Sequence, residues 1–242
     1  MTFVEHLTEL RRRLLTVFLS VLAGAIVCYL FIEEIVAILL VPTHGVEFVY
    51  LAPPELFLAY LRLSLVLGIV ITLPISLMQL WLFARPALTK AEKRAARFVL
   101  WGGTLFFAAG VYFAYTVILP LTMRFFLQYA TQAIQPMFSF GGYVGFVLSI
   151  LLAFGIAFEM PMVIVILTAI GLITPALLRS ARRPVIVVLV VVAAFLTPPD
   201  VVSQLLLAGP MLLLYELSVL LSRLTVRRRE SEPDDQHNDQ SA

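Results

Sequence analysis

Charge is what this sequence has least of. Only 13% of its 242 residues are Asp, Glu, Lys or Arg, against about 25% in soluble domains. With 61% hydrophobic residues and a mean hydropathy of +1.00, so little charge excludes an ordinary soluble domain and implies an integral membrane protein. Cysteine is nearly absent: Cys28 alone excludes an intrachain disulfide framework and a thiolate metal site. The histidines, His6, His44 and His237, all lie outside the apolar runs. No intramembrane Ser–His pair and no two-histidine zinc site on a helix can therefore form. Paired aspartates within an apolar run and a phosphate-cradling glycine loop are missing too. These absences argue against an enzyme, and neither a cofactor, a metal nor a nucleic-acid partner is expected.

What the chain does have is long apolar runs, at about 14–35, 56–83, 98–123, 143–170, 184–197 and 201–222. They predict an all-α integral membrane protein of six transmembrane helices with short fifth and sixth spans. Residues 1–229 read as a single membrane domain. The acidic, aromatic-free stretch 230–242 reads as a disordered tail. Fifteen of the 17 basic residues fall at one end of this pattern: Arg11–Arg13, the connection from Arg85 to Arg97, the connection from Arg179 to Arg183, and the flank from Arg223 to Arg229. The positive-inside rule then puts both termini in the cytoplasm of a multi-pass cell-membrane protein. Ala23-Gly24-Ala25 has the look of a leader cleavage site, but the apolar run continues to Ile32, which favours an uncleaved first span.

Local signals divide the chain further. Thr2-Phe-Val-Glu5 has capping-box spacing and opens an amphipathic segment expected to lie in the interface and turn into the membrane near Arg13. Ile35–Leu40 reads as a short outer helix before Pro42. Pro74 interrupts the second run, Thr89-Lys90-Ala91-Glu92 is a second capping box, and Thr174-Pro175 opens a short helix. The fifth run, 184–196, is thirteen residues, or about 20 Å of helix against roughly 30 Å of hydrocarbon. It requires a thinned bilayer or covering partners. Thr197 is placed to cap the sixth helix, with Pro198 first and Asp200 third.

A few acids stand in unusual surroundings. Glu159 is the one charge between Tyr143 and Ile170, beside Pro161, and an ionisable group there costs roughly 2.5–3.5 kcal/mol on insertion scales. It is either a protonated structural pin or a functional group, and residue chemistry leaves both open. Glu9 precedes three arginines and is spaced to pair with Arg12 or Arg13. Glu92, among Lys90, Lys93 and Arg94, has a ready role in its capping box. Glu216 is an interfacial pairing acid, and Arg62 is expected to reach outward toward Glu55, Glu47 or Glu33-Glu34.

Four segments in order carry a family resemblance: His6-Leu-Thr-Glu-Leu-Arg-Arg-Arg13; Phe83-Ala-Arg-Pro-Ala-Leu88 running to Glu92; Phe154-Gly-Ile-Ala-Phe-Glu-Met-Pro161; and Thr197-Pro-Pro-Asp200 with Ser203-Gln204 and Pro210. The chain resembles the TatC family, the multi-span receptor subunits of the twin-arginine protein translocase, over about residues 3–229. The resemblance implies binding of twin-arginine signal peptides of folded precursors at the cytoplasmic face. It also implies proton-motive-force-driven transport with single-span partners of the TatA/TatB type, in an oligomeric receptor complex within the lipid bilayer. It assigns Glu9, Leu10, Arg11, Phe83 and Glu92 to the signal-peptide site and Glu159 to an intramembrane polar site. Pro42 and Asp200 match outer-side functional residues, and Thr197 and Gln204 match partner-docking ones. Arg85 and Lys93 depart from the usual pattern.

Such a site makes physical sense, because consecutive arginines offer two planar forks that lysine cannot reproduce. Acids on an otherwise basic face also admit a cationic ligand only there. Two other readings compete: a proton-coupled small-molecule transporter relaying through Glu159, and a scaffold or chaperone that binds apolar segments. The missing internal repeat and the short fifth run weigh against the transporter.

Overall fold

A backbone in hydrocarbon must satisfy its own polar groups, which for these apolar runs leaves the helix. The computed structural model describes residues 3–43, 46–84, 90–129, 137–169, 171–196 and 201–231. Nine α-helices are described: α1 (Phe3–Leu30), α2 (Ile32–Leu40), α3 (Glu55–Ala84), α4 (Lys90–Phe113), α5 (Leu119–Leu127), α6 (Phe140–Ala169), α7 (Pro175–Ser180), α8 (Arg182–Leu196) and α9 (Val201–Ser231). Strands β1 (Phe48–Val49) and β2 (Phe138–Ser139) pair in parallel.

Five described segments are long and apolar enough to cross a membrane: Leu7–Leu30, Glu55–Phe83, Trp101–Leu127, Phe140–Thr168 and Gln204–Leu224. The fifth run, α8, has 15 residues, about 22 Å at 1.5 Å per residue. Helix α9 has 31 residues and stays helical through Pro210. The apolar segment within α9, Gln204–Leu224, has 21 residues against 24 to 29 in the other four, and α8 is shorter still.

Two expectations for the N-terminal third also change. Helix α1 runs unbroken past Arg13, so the amphipathic segment and the first apolar run are one rod with no turn into the membrane. The break falls instead at Phe31, whose φ −107° and ψ 28° leave the helical region and divide the run into α1 and α2. Glu33 and Glu34 then sit in the first turn of α2, where acids suit the positive end of a helix dipole. The short outer helix expected at 35–40 is the C-terminal part of α2.

Helix α6 is the centre of the bundle and packs against α3, α4 and α9. Val144, Val147, Ile150 and Phe154, at spacings of three and four, are fully buried along it. Pro161 lies inside α6 without ending it. The helix ends at a left-handed Gly171, φ 80°. There Gly171 N–H donates to Thr168 O and Leu172 N–H to Leu167 O, the paired bonds of a Schellman end. Thr174 Oγ1 accepts from Leu177 N–H with Pro175 in the first turn, as its capping signal predicts. Between α4 and α5 the chain makes one π turn, 114–118, in which Leu119 N–H reaches Ala114 O. Pro120 follows at once and has no N–H for the ordinary ladder.

Helix α1 is scarcely buried and docks chiefly on α3. A Cβ on Gly68 would lie 2.5 Å from Ala25 N, and one on Gly24 would lie 3.1 Å from Gly68 O. The two backbones touch because neither position carries a side chain. At the opposite end of the bundle, Tyr143 OH donates to Leu39 O at 2.8 Å and Tyr115 OH to Ile38 O at 2.6 Å. These bonds satisfy carbonyls at the C-terminal end of α2.

Candidate functional site

Helix α1 and the C-terminal turns of α3 meet at the end of the bundle that carries the basic residues. Glu9, Leu10 and Arg11 lie there on one exposed helix, Leu10 and Arg11 open to solvent and Glu9 half-buried. Arg13 Nη2 donates to Glu9 Oε1 at 3.2 Å. Its other arm, Nη1, donates to Gln79 Oε1 at 2.9 Å. Of the two pairings open to Glu9, the structure selects Arg13, because one guanidinium then spans α1 and α3. Gln79 is one turn before Phe83, so the same contact brings Glu9 to the last turns of α3, which include Phe83. Glu92 belongs to the first turn of α4, but its side chain lies outside the described residues, as do Arg85 and Thr89. The structure thus brings Glu9, Arg13 and Gln79 together.

A second polar feature sits between α4 and α6. A Cβ on Gly103 would lie 2.9 Å from Glu159 Oε2 and 3.3 Å from Oε1, so this glycine leaves the carboxylate its room. Glu159 Oε1 is buried without a hydrogen-bond partner among the described residues. The seam around it is built from small residues against large ones. A Cβ on Gly110 would meet Phe154 O at 2.5 Å, one on Gly155 would meet Phe107 at 2.7 Å, and one on Gly102 would meet the end of Met162. Sequence reasoning missed these glycines, although small residues in apolar helices are a readable sign of close helix contact.

Pro42 is buried in a 3₁₀ turn, 41–43, that closes α2, and Thr43 Oγ1 donates to Leu40 O beside it. Nearby, Glu55 accepts from Ser139 Oγ, Gly141 N–H and Leu51 N–H, tying the start of α3 to the start of α6. This corrects the expectation for Arg62. The Glu55 carboxylate is occupied by uncharged donors, and among the described residues Arg62 meets no carboxylate but lies against Gly145. Asp200 and Thr197 lie outside the described residues. Gln204 Nε2 donates to Val190 O at 3.0 Å, bracing α9 against α8. Glu216 pairs with Arg182 of α8 at 2.6 Å, and Tyr215 OH donates to Leu178 O of α7.

The family described as "Sec-independent protein translocase protein (TatC)" matches residues 5–210. The Sec-independent protein translocase protein TatC of Aquifex aeolicus is 40% identical over 236 residues, covering 95% of this chain and 98% of the relative. That of Desulforapulum autotrophicum is 35% identical over 238 residues, covering 96% and 88%. The "Crystal Structure of Twin Arginine Translocase Receptor- TatC" superposes with a TM-score of 0.80 at 39% identity, covering 92% of this chain and 100% of that one. The family match thus spans α1 to the first third of α9. The chain belongs to the TatC family and is a multi-pass membrane component of the twin-arginine translocase.

Proposed function

We propose that this chain is the receptor core of a twin-arginine translocase in the cell membrane, binding twin-arginine signal peptides through Glu9 and Glu92 beside Leu10, Arg11 and Phe83. The observation that carries this reading is the Glu9 carboxylate: it is already engaged with a guanidinium, it retains 21% exposure, and it stands beside Arg11 and Arg12. A cation is repelled by that face except at the acid. With α8 counted as a sixth span, the chain crosses the membrane six times with both termini in the cytoplasm, supported by its basic end. Single-span partners of the TatA/TatB type cover the short α8 and the Gln204 side of α9. Transport draws on the proton-motive force within an oligomeric receptor complex.

The test is complementation of a strain lacking its own receptor subunit, scored by export of a folded reporter. Export is expected with an arginine pair in the reporter's signal and is lost when both arginines become lysines. Export that ignores this change would support the scaffold reading instead.

Glu159 is proposed to accept a polar group from a partner helix, and Pro42, Thr197 and Asp200 to support the outer and docking surfaces. The unpartnered Oε1 supports the role given to Glu159. Glu159→Gln is expected to leave the fold intact and lower crosslinking to a single-span partner about tenfold, the effect of losing one charge-assisted bond. Gly103→Ala should act in the same direction, because its Cβ would crowd Oε2 at 2.9 Å. Unchanged crosslinks and export in both variants would leave Glu159 a structural pin.

A further inference from the structure

Of the three arginines at 11–13, only Arg13 meets a carboxylate among the described residues. Its guanidinium is divided between two helices: one arm holds Glu9 at 3.2 Å and the other holds Gln79 at 2.9 Å. Nε is buried without a hydrogen-bond partner. The contact with Glu9 uses a single arm at a distance longer than the roughly 2.7–2.9 Å of a strong charge-assisted bond. A planar fork that engaged both carboxylate oxygens would make the better pair.

We propose that Arg13 is a built-in competitor for Glu9, occupying the carboxylate that an incoming peptide arginine must take, with Gln79 holding it in that position. The proposal rests on the reading of Glu9 as a signal-peptide acid. Gln79 fixes Nη1 and so directs Nη2 at Glu9. Losing Gln79 loosens the internal pair rather than strengthening it.

A competitor of this kind lowers the apparent affinity of every cationic ligand by one common factor, the fraction of receptor in which Glu9 is free. It leaves the ratio between arginine and lysine ligands untouched. What it does is keep Glu9 closed to weak, single-bonded cations, while a twin-arginine segment with its additional contacts still displaces Arg13. Because the competitor lies on the same helix as the acid, at i,i+4, it acts at any protein concentration, and added salt weakens it.

The experiment measures binding of a labelled synthetic signal peptide, with two consecutive arginines, to the full-length chain in phosphatidylcholine nanodiscs by fluorescence anisotropy. Arg13→Gln is expected to tighten binding about two- to fivefold, the range that partly exposed pairs of this kind span. Arg12→Gln removes the same charge one residue away, and its effect should be smaller. Gln79→Met should also tighten binding, and the Arg13→Gln, Gln79→Met double variant should bind no tighter than Arg13→Gln alone. A twin-lysine peptide should gain by the same factor as the twin-arginine one.

Arg13→Gln binding no tighter than Arg12→Gln would overturn the proposal, and so would effects of Arg13→Gln and Gln79→Met that multiply. Glu9→Gln separates the two levels of the argument. If it weakens binding while Arg13→Gln does not tighten it, only the competitor role fails. If it leaves binding unchanged, the role of Glu9 itself fails. Thermal unfolding is followed for each variant. If Arg13→Gln loosens the α1–α3 seam, Arg13→Lys keeps the charge without the second arm. It must still tighten binding for the proposal to stand.

Discussion

Replacing Gly68 with valine is expected to separate the first helix from the rest of the bundle and to remove most folded protein. The cause is steric. Any Cβ at position 68 falls 2.5 Å from Ala25 N and 2.8 Å from Ala25 Cα, and backbone atoms cannot swing aside as a side-chain tip can. Either α1 moves away or α3 distorts. Overpacking costs typically about 1–3 kcal/mol, and a backbone-to-backbone clash belongs at the upper end. The loss is not confined to position 68, because α1 docks chiefly on α3 and has little other buried surface to hold it. Arg13 would also lose Gln79. Thermal unfolding in detergent, together with protease sensitivity of α1, reads the effect. Gly209→Ala is the control: a Cβ there meets nothing within 4 Å, so the substitution should be neutral or slightly stabilising through helix propensity. Equal melting temperatures for Gly68→Val and Gly209→Ala would remove the argument that the glycine contact holds α1.

The long apolar runs were legible because hydropathy over some twenty residues is decided along the chain, not by tertiary contacts. The cap at Thr174 was legible for a similar reason, since its bond is to Leu177, three residues on. What escaped depended on neighbours distant in sequence. Phe31 lies between Leu30 and Ile32 with no proline, glycine or capping side chain beside it, so the acids Glu33 and Glu34 were the one local sign that a new helix starts there. Glu9 was spaced to reach either Arg12 or Arg13, and the choice falls to Gln79, which is 66 residues from Arg13. Arg62 was expected to reach Glu55, Glu47 or Glu33-Glu34 by charge, but Glu55 is held by Leu51, Ser139 and Gly141 and none of the others pairs with Arg62 among the described residues. Two of these donors are backbone N–H groups, which carry no charge for a sequence to display. Gly103 reaches Glu159 across 56 positions, and only the fold turns that glycine into part of the acid's surroundings.

The same dependence on distant neighbours shapes the largest functional effect expected. Glu9→Gln combined with Glu92→Gln should weaken binding of a twin-arginine peptide by about a hundredfold, with each single variant accounting for roughly a tenfold loss. A charge-assisted hydrogen bond contributes about 1.5–3 kcal/mol. Glu9 retains 21% exposure, so solvent screening favours the low end of that range. Glutamine keeps the size of the side chain and one acceptor oxygen but removes the charge, so a loss reflects the ion pair and not packing. For Glu9→Gln part of the loss is offset, because Arg13 no longer has a carboxylate to compete for. The single substitution at position 9 should therefore weaken binding less than the one at position 92. Anisotropy titration of the four proteins, wild type, two singles and the double, resolves this ordering. If the two acids grip separate arginines, the losses multiply. If both hold one guanidinium, the double variant loses little more than the worse single. Titration with a twin-lysine peptide adds the remaining discrimination: its affinity starts lower and falls less in each variant, because an ammonium never formed the bidentate contact that the carboxylates offer.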